Sequence, residues 1–310
     1  MPLATIVAGC DLSVPGDLAV DRAVELALAH GARLVLVHAQ HDAAEDHAGD
    51  PAVLEKLGEV AAAVHVEAAR HLADRLALIQ ARGVAAEVAS RPGPPGEIVA
   101  AIAEEHDADL IVIGTHGHTG LARILLGSVA SSTLRHAPCD VLVVRGDAKA
   151  PYKNPLVAVD FSPAATRAIA HTADVTAPGA PIHGVHAWQL PAGSWGASLL
   201  GQARFPWNTV RDAVLSSVQG QAAKLVAEQR PKLAGHALDV QLVQGPPATA
   251  VTDLAASGGH DLIAVGTHGH RGFRRLLLGS VAESVISHAP CSVLVVHGEH
   301  AGETAQFERV

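Results

Sequence analysis

Several things are scarce in this chain, and each scarcity excludes something. Three cysteines, Cys10, Cys139 and Cys291, supply neither a disulfide framework nor a C-x-x-C metal pair. Their expected role is that of small buried hydrophobes, and no Cys–His nucleophile arrangement is legible around them. Long apolar runs are missing: most span four to seven residues, so no membrane span is expected. The opening MPLATIVAGCDLS has no basic region and reads as a first strand, not a secretory signal; a cytoplasmic protein follows. A basic surplus is also missing. The net charge is −9, with 22 Lys+Arg against 31 Asp+Glu and no basic stripe, which argues against nucleic-acid binding. Aromatics make up 3% of the chain and none precedes Tyr152.

What is present is a repeat. Residues 110–146 and 262–298 match at 25 of 37 positions, at an offset of 152. In 310 residues this implies two domains, each of about 150 residues and large enough to bury its own core. We place them at 1–148 and 153–298, with a polar, frayed tail over 299–310. The halves differ in surface: residues 1–150 hold 11 basic and 20 acidic side chains, residues 151–310 hold 11 and 11.

Apolar runs alternate with helical periodicity. In half one, strands are expected at 5–9, 34–39, 84–89, 110–113 and 141–144, with helices at about 17–29, 52–82, 96–106 and from 127 to before Pro138. Half two repeats this order, with strands at 156–159, 182–186, 237–243, 262–265 and 293–296. The reading is α/β: two tandem Rossmann-like domains, each a five-stranded parallel sheet with helices on both faces. Residues 149–154 read as a short linker that brings the fifth strand of half one close to the first strand of half two. Ligands in such sheets sit beyond the carboxyl ends of the strands. Asp11, Ala39 and Gly114 fall there, as do Asp160, Ala187 and Gly266.

Both copies carry G-x₂-G-x₉-G-S: Gly114, Gly117, Gly127 and Ser128, then Gly266, Gly269, Gly279 and Ser280. Glycine lets backbone N–H groups approach an anion, and a helix start favours negative charge. The Ser hydroxyl can cap that helix and bond a phosphate oxygen. No Lys follows the glycines, so this is no P-loop, and the spacing is not G-x-G-x-x-G. T-H-G-H (115–118 and 267–270) mimics a nucleotidyltransferase motif, but follows the fourth strand where that motif follows the first. Asp11 and Asp160 can accept from ribose hydroxyls or hold a phosphate-bridging metal, or can cap the next helix in competition with Ser13 and Ser162. His118 and His270, with His116 and His268, can donate to phosphate; H-x-H alone is a weak metal signal. His136 and His288 fall in last helical turns, where a cation is favoured.

Asp at the end of the first strand, then G-x₂-G-x₉-G-S, then H-A-P-C-x-V-L-V-V, resembles the universal stress protein family, over both halves. The resemblance implies an adenine nucleotide alpha hydrolase-like fold of the ATP-binding branch. By that resemblance, Asp11 and Asp160 contact ribose or phosphate, and Ala39 and Ala187 offer backbone to adenine. Gly114, Gly117, His118, Gly127, Ser128 and Val129 line the phosphate side of half one. Gly266, Gly269, His270, Gly279, Ser280 and Val281 do so in half two. The cofactor that the resemblance implies is ATP with Mg2+. The fifth strands would pair within one chain as a pseudo-dimer, with a homodimer also open. The implied role is a nucleotide-dependent regulator of stress adaptation. The alternative is a slow ATPase or nucleotidyl or phosphoryl transferase in the same clefts, for which no base is evident.

The halves should not be equivalent. Arg271, Arg274 and Arg275 stand where half one has Thr119, Ala122 and Arg123, so site two should be tighter and more salt-sensitive. Residues 188–207, with Trp188, Trp195, Phe205 and Trp207, read as a long loop that could cover adenine, pack on half one or contact another chain.

Overall fold

The computed structural model describes residues 3–40, 51–115, 126–146, 150–190, 207–267 and 278–297. Half one runs β1 (Thr5–Gly9), α1 (Val14–His30), β2 (Arg33–Gln40), α2 (Pro51–Ala81), β3 (Ala86–Pro92), α3 (Pro95–Glu105), β4 (Leu110–Gly114), α4 (Ser128–His136) and β5 (Asp140–Val144). Half two runs β6 (Pro155–Ala158), α5 (Pro163–Val175), β7 (Ile182–Trp188), α6 (Trp207–Gln229), a 3-10 turn (Arg230–Lys232), β8 (Leu238–Gln244), α7 (Pro247–Ser257), β9 (Leu262–Gly266), α8 (Ser280–His288) and β10 (Ser292–Val296).

The strands form one ten-stranded sheet in the order β3-β2-β1-β4-β5-β10-β9-β6-β7-β8. Within each half all pairings are parallel, so each half is the expected five-stranded parallel sheet. The halves meet where β10 runs antiparallel to β5, with Val293 opposite Val143, Leu294 opposite Leu142 and Val295 opposite Val141. This is the pairing of the fifth strands within one chain that the resemblance implied; the expectation that the linker brings the fifth strand close to the first strand of half two is corrected. β10 and β9 stand between β5 and β6. Pairing β5 with β10 satisfies the backbone donors and acceptors of two edges whose paired residues are all apolar, an outcome that linker length alone could not indicate.

Strand side chains alternate between two cores. Ile6, Ala8, Leu34, Leu36, Leu142 and Leu294 join α1, α2, α5 and α6 on one face. Val7, Val35, Val37, Val141, Val143 and Val293 join α3, α4, α7 and α8 on the other. Both cores contain residues of both halves, so neither stops at the seam.

Local chemistry sets the starts of α1 and α5. Ser13 and Ser162 cap α1 and α5, each followed by proline in the first turn, and Gly31 ends α1 at φ 67. Capping explains why α1 begins at Val14, ahead of the start near 17 that apolar spacing implies. β3 departs from the expected 84–89 by running on to Pro92, with His38, Ala39 and Gln40 opposite Ser90, Arg91 and Pro92. Here pairing with β2 overrides the turn signal, and Pro92 is tolerated because β3 is an edge strand. Among the described residues no helix is long and apolar enough to cross a membrane.

Candidate functional site

The chain leaves β1 and β6 through the same turn twice. Asp11 Oδ1 accepts the Ser13 N–H at 3.0 Å and the Ser13 hydroxyl at 2.6 Å. Asp160 Oδ1 accepts the Ser162 N–H at 2.9 Å. The serines, not the aspartates, cap the helices: Ser13 Oγ accepts the Gly16 N–H at 3.1 Å, and Ser162 Oγ accepts the Ala165 N–H at 3.2 Å. Between aspartate and serine the backbone is left-handed at a bulky residue, φ 61 at Leu12 and φ 63 at Phe161. Such a conformation costs on the order of 1–3 kcal/mol and persists only where its surroundings enforce it. Its recurrence fixes where each carboxylate stands.

His38 and His186 add a second matched element. Each Nδ1 faces a carbonyl oxygen, Cys10 at 2.9 Å and Val159 at 2.7 Å, and therefore donates. Each ring ties the end of β2 or β7 to the residue just before the aspartate. The Phe161 ring lies 4.4 Å from the His186 ring, centroid to centroid. Motif reading passed over these histidines, although V-H-A stands at 37–39 and 185–187.

Backbone direction gives Ala39 and Ala187 their meaning. Val37 C=O accepts from Cys10 N–H, and Val185 C=O accepts from Val159 N–H, both at 2.8 Å. Residues two apart on a strand present their peptide groups to the same side. Ala39 and Ala187 therefore face the side on which β1 and β6 have already ended.

Gly114 and Gly266 pack more than they open. A Cβ on Gly114 would lie 2.9 Å from the Pro15 carbonyl oxygen; one on Gly266 would lie 2.8 Å from Ala164 Cβ. Their smallness lets β4 and β9 press on the first turns of α1 and α5, which brings each Asp–Ser turn beside the start of the glycine segment. Gly127 N–H donates to Thr115 C=O at 3.0 Å and Gly279 N–H to Thr267 C=O at 2.9 Å, closing both segments at the base. Gly127 and Gly279 are also the N-caps of α4 and α8, and among the described residues neither helix start has a side-chain cap. Ser128 and Ser280 are thus first helical residues and do not cap, which corrects half of the role expected of them. Val129 and Val281, one residue on, are exposed apolar side chains at 41% and 37%. Gly117, His118, Gly269 and His270 lie outside the described residues, as do Arg271, Arg274, Arg275, Trp195, Phe205 and the tail from 299.

Other side chains settle into structural roles. His136 and His288 donate to Ser132 and Ser284 carbonyls in their own helices, at 2.9 and 2.8 Å. Burial raises the thiols of Cys10 and Cys139 above their usual range and pushes Cys291 up to about 12, so none is a ready nucleophile. Among the described residues no three His, Cys, Asp or Glu side chains gather to hold a metal. A Mg2+ ion held largely by phosphates needs only one or two carboxylates, and Asp11 and Asp160 fit that need. A cavity of about 220 Å³ under α2, lined by His38, His65, Leu72 and Val88, lies to one side of these turns.

Fold and site together define a protein of two parallel α/β units, each presenting an acidic turn and a glycine-capped helix start at the carboxyl end of its sheet. The universal stress protein family model matches residues 3–145 and again 151–297, and the chain belongs to that family. A universal stress protein of Mycolicibacterium smegmatis is 28% identical over 310 residues, covering 94% of this chain and 96% of that protein. One from Mycobacterium tuberculosis is 33% identical over 199 residues, 61% of this chain and 62% of the relative. The crystal structure of an Archaeoglobus fulgidus universal stress protein superposes with a TM-score of 0.63 at 22% identity, covering 94% of this chain and 96% of that one; it shares the fold. Membership sets this chain among stress-response proteins.

Proposed function

We propose that each half binds one ATP with Mg2+ beyond the ends of its strands, and that the protein is a nucleotide-dependent regulator of stress adaptation rather than an enzyme. The observation that carries this reading is the double recurrence of one arrangement: a glycine-capped helix start set beside a braced aspartate. The first N–H groups of α4 and α8 are donors suited to phosphate oxygens, and the helix dipole favours negative charge there. Asp11 and Asp160 accept from ribose hydroxyls or hold Mg2+. The peptide groups of Ala39 and Ala187 supply one donor and one acceptor each, enough to read an adenine edge. Gly117, Gly269, His118 and His270 complete the phosphate side. A cytoplasmic location, domain limits at 148 and 153, and pairing of two chains belong to the same proposal.

Calorimetry with Mg-ATP on the full chain should give two sites. Gly117→Trp or Gly269→Trp should remove one site each, because a side chain would occupy phosphate space. An intact protein with no ATP affinity would end the proposal. Turnover of ATP at enzymatic rates would replace the regulatory reading with the catalytic one.

A further inference from the structure

The residue after the last strand of each half reaches across the seam to the carboxyl end of the other half's glycine-segment helix. Arg145 follows β5. Its Nη1 donates to Ala289 C=O at 2.9 Å and its Nη2 to Ile286 C=O at 2.8 Å, the last turn and C-cap of α8. His297 follows β10, and its Nε2 donates to Leu134 C=O at 3.3 Å in the last turn of α4. Arg145 and His297 are equivalent positions of the repeat, and so are Leu134 and Ile286. The contact is thus made twice, once in each direction.

Both contacts are anchored by backbone bonds. Arg145 N–H donates to Ser292 Oγ at 3.0 Å, and Ser292 Oγ–H donates to Arg145 C=O at 3.2 Å. His297 N–H donates to Asp140 Oδ1 at 2.9 Å. A helix C-terminus leaves carbonyls without partners and carries partial negative charge, so a donor there both satisfies and neutralises it. A guanidinium does this with two bonds and a permanent charge. Tying the carboxyl end of a nine-residue helix also fixes its axis, and with it the N–H groups at its start.

We propose that Arg145 and His297 are positioning residues, each setting the phosphate helix of the half opposite to its own, so that each nucleotide cleft depends on a side chain of the other domain. This inference rests on the nucleotide reading above. It assigns Arg145 to the cleft of half two and His297 to that of half one. Arg145, with two bonds, holds the firmer grip.

The test uses Mg-ATP and the full chain, with one cleft blocked at a time. Arg145→Gln in a Gly117→Trp background, where only half two binds, should weaken affinity about threefold to tenfold. In a Gly269→Trp background the same change should leave half one's affinity unmoved. His297→Ala should show the reverse pattern. Arg145→Lys, which keeps the charge and loses the fork, should fall between wild type and Gln and provides a milder variant should Gln impair folding. Hydrogen exchange of the ligand-free chain should quicken in α8 and not in α4 for Arg145→Gln. Equal loss at both clefts, or none at either, overturns the inference while leaving two-site binding intact. Absence of ATP binding in every background overturns both readings together.

Discussion

At Gly96 a single added carbon decides whether α3 and α4 can stay together. A Cβ there would lie 2.5 Å from Ser132 Cβ and 2.8 Å from the Thr133 amide nitrogen, and backbone cannot yield cheaply. Gly96→Val should cost about 1–3 kcal/mol, read as a lower urea midpoint at unchanged m-value. Gly220 is the contrast: it lies within α6 with nothing within 4 Å of its would-be Cβ. Gly220→Ala should raise stability by about 0.5–1 kcal/mol in the same assay. Sequence separates these two glycines poorly. Half two carries Ala248 where half one has Gly96, so nothing in the repeat marks position 96 as tight. The duplicated glycines were legible as a set; the division of labour among them was not. Gly114 and Gly266 serve packing, Gly127 and Gly279 serve as helix caps, and Gly279 is tight as well, since a Cβ there would lie 3.0 Å from the Thr267 carbonyl oxygen.

At the scale of elements, the strand-turn-helix units at 5–30 and 155–175 are the most self-determined parts of the molecule. Ser13→Ala and Ser162→Ala should each cost about 1 kcal/mol, checked by chemical denaturation. Ser13→Ala has a second expected effect. It removes the hydroxyl that braces Asp11, so ATP affinity of half one should fall while that of half two holds, in single-site calorimetry. The turn was readable from CDLS and VDFS, where Asp and Ser compete for one cap. Their left-handed Leu12 and Phe161 were not, since no local rule sends a bulky residue there. β3 exceeded its sequence limits for a related reason: its last residues are strand because β2 lies beside them.

Across the whole molecule the seam is where charge enters the argument. His171 of α5 donates from Nδ1 to Asp140 Oδ2 of β5 at 2.5 Å, and this hydrogen bond raises the imidazole above its usual range despite partial burial. His30 of α1 meets the Asp174 carbonyl of α5 at 2.7 Å on the same side. A raised folded-state value means the stabilisation is complete below the unfolded value of about 6.5 and fades as pH rises through the folded one. Asp140→Asn should therefore lose most against wild type near pH 6, by about 1 kcal/mol after allowance for exposure, and the difference should narrow toward alkaline pH. His171→Asn should flatten the same pH profile. The linker is equally committed: Tyr152 is buried, with Arg22 of α1 held 4.0 Å above its ring. Asp261 accepts the Lys153 and Asn154 N–H groups, as Asp109 accepts those of Ala4 and Thr5. With both cores continuous across β5 and β10, the halves should unfold together in one transition by circular dichroism and by the fluorescence of the tryptophans, all in half two.

By itself the sequence determined the repeat, the alternation of solid apolar strands with capped helices, and the positions of aspartates and glycines at strand ends. These follow from short-range chemistry: periodicity, capping and the space a Cβ needs. Only the tertiary structure decided the antiparallel register in which the two parallel sheets join, that Gly114 and Gly266 admit helix turns, and that His38 and His186 lock the aspartate turns. It alone set Arg145 and His297 on the opposite helices. Each of these depends on which strands and faces meet: the histidine locks join residues 27 and 28 positions apart, and the contacts across the seam join residues more than 140 apart, beyond the reach of any local pattern.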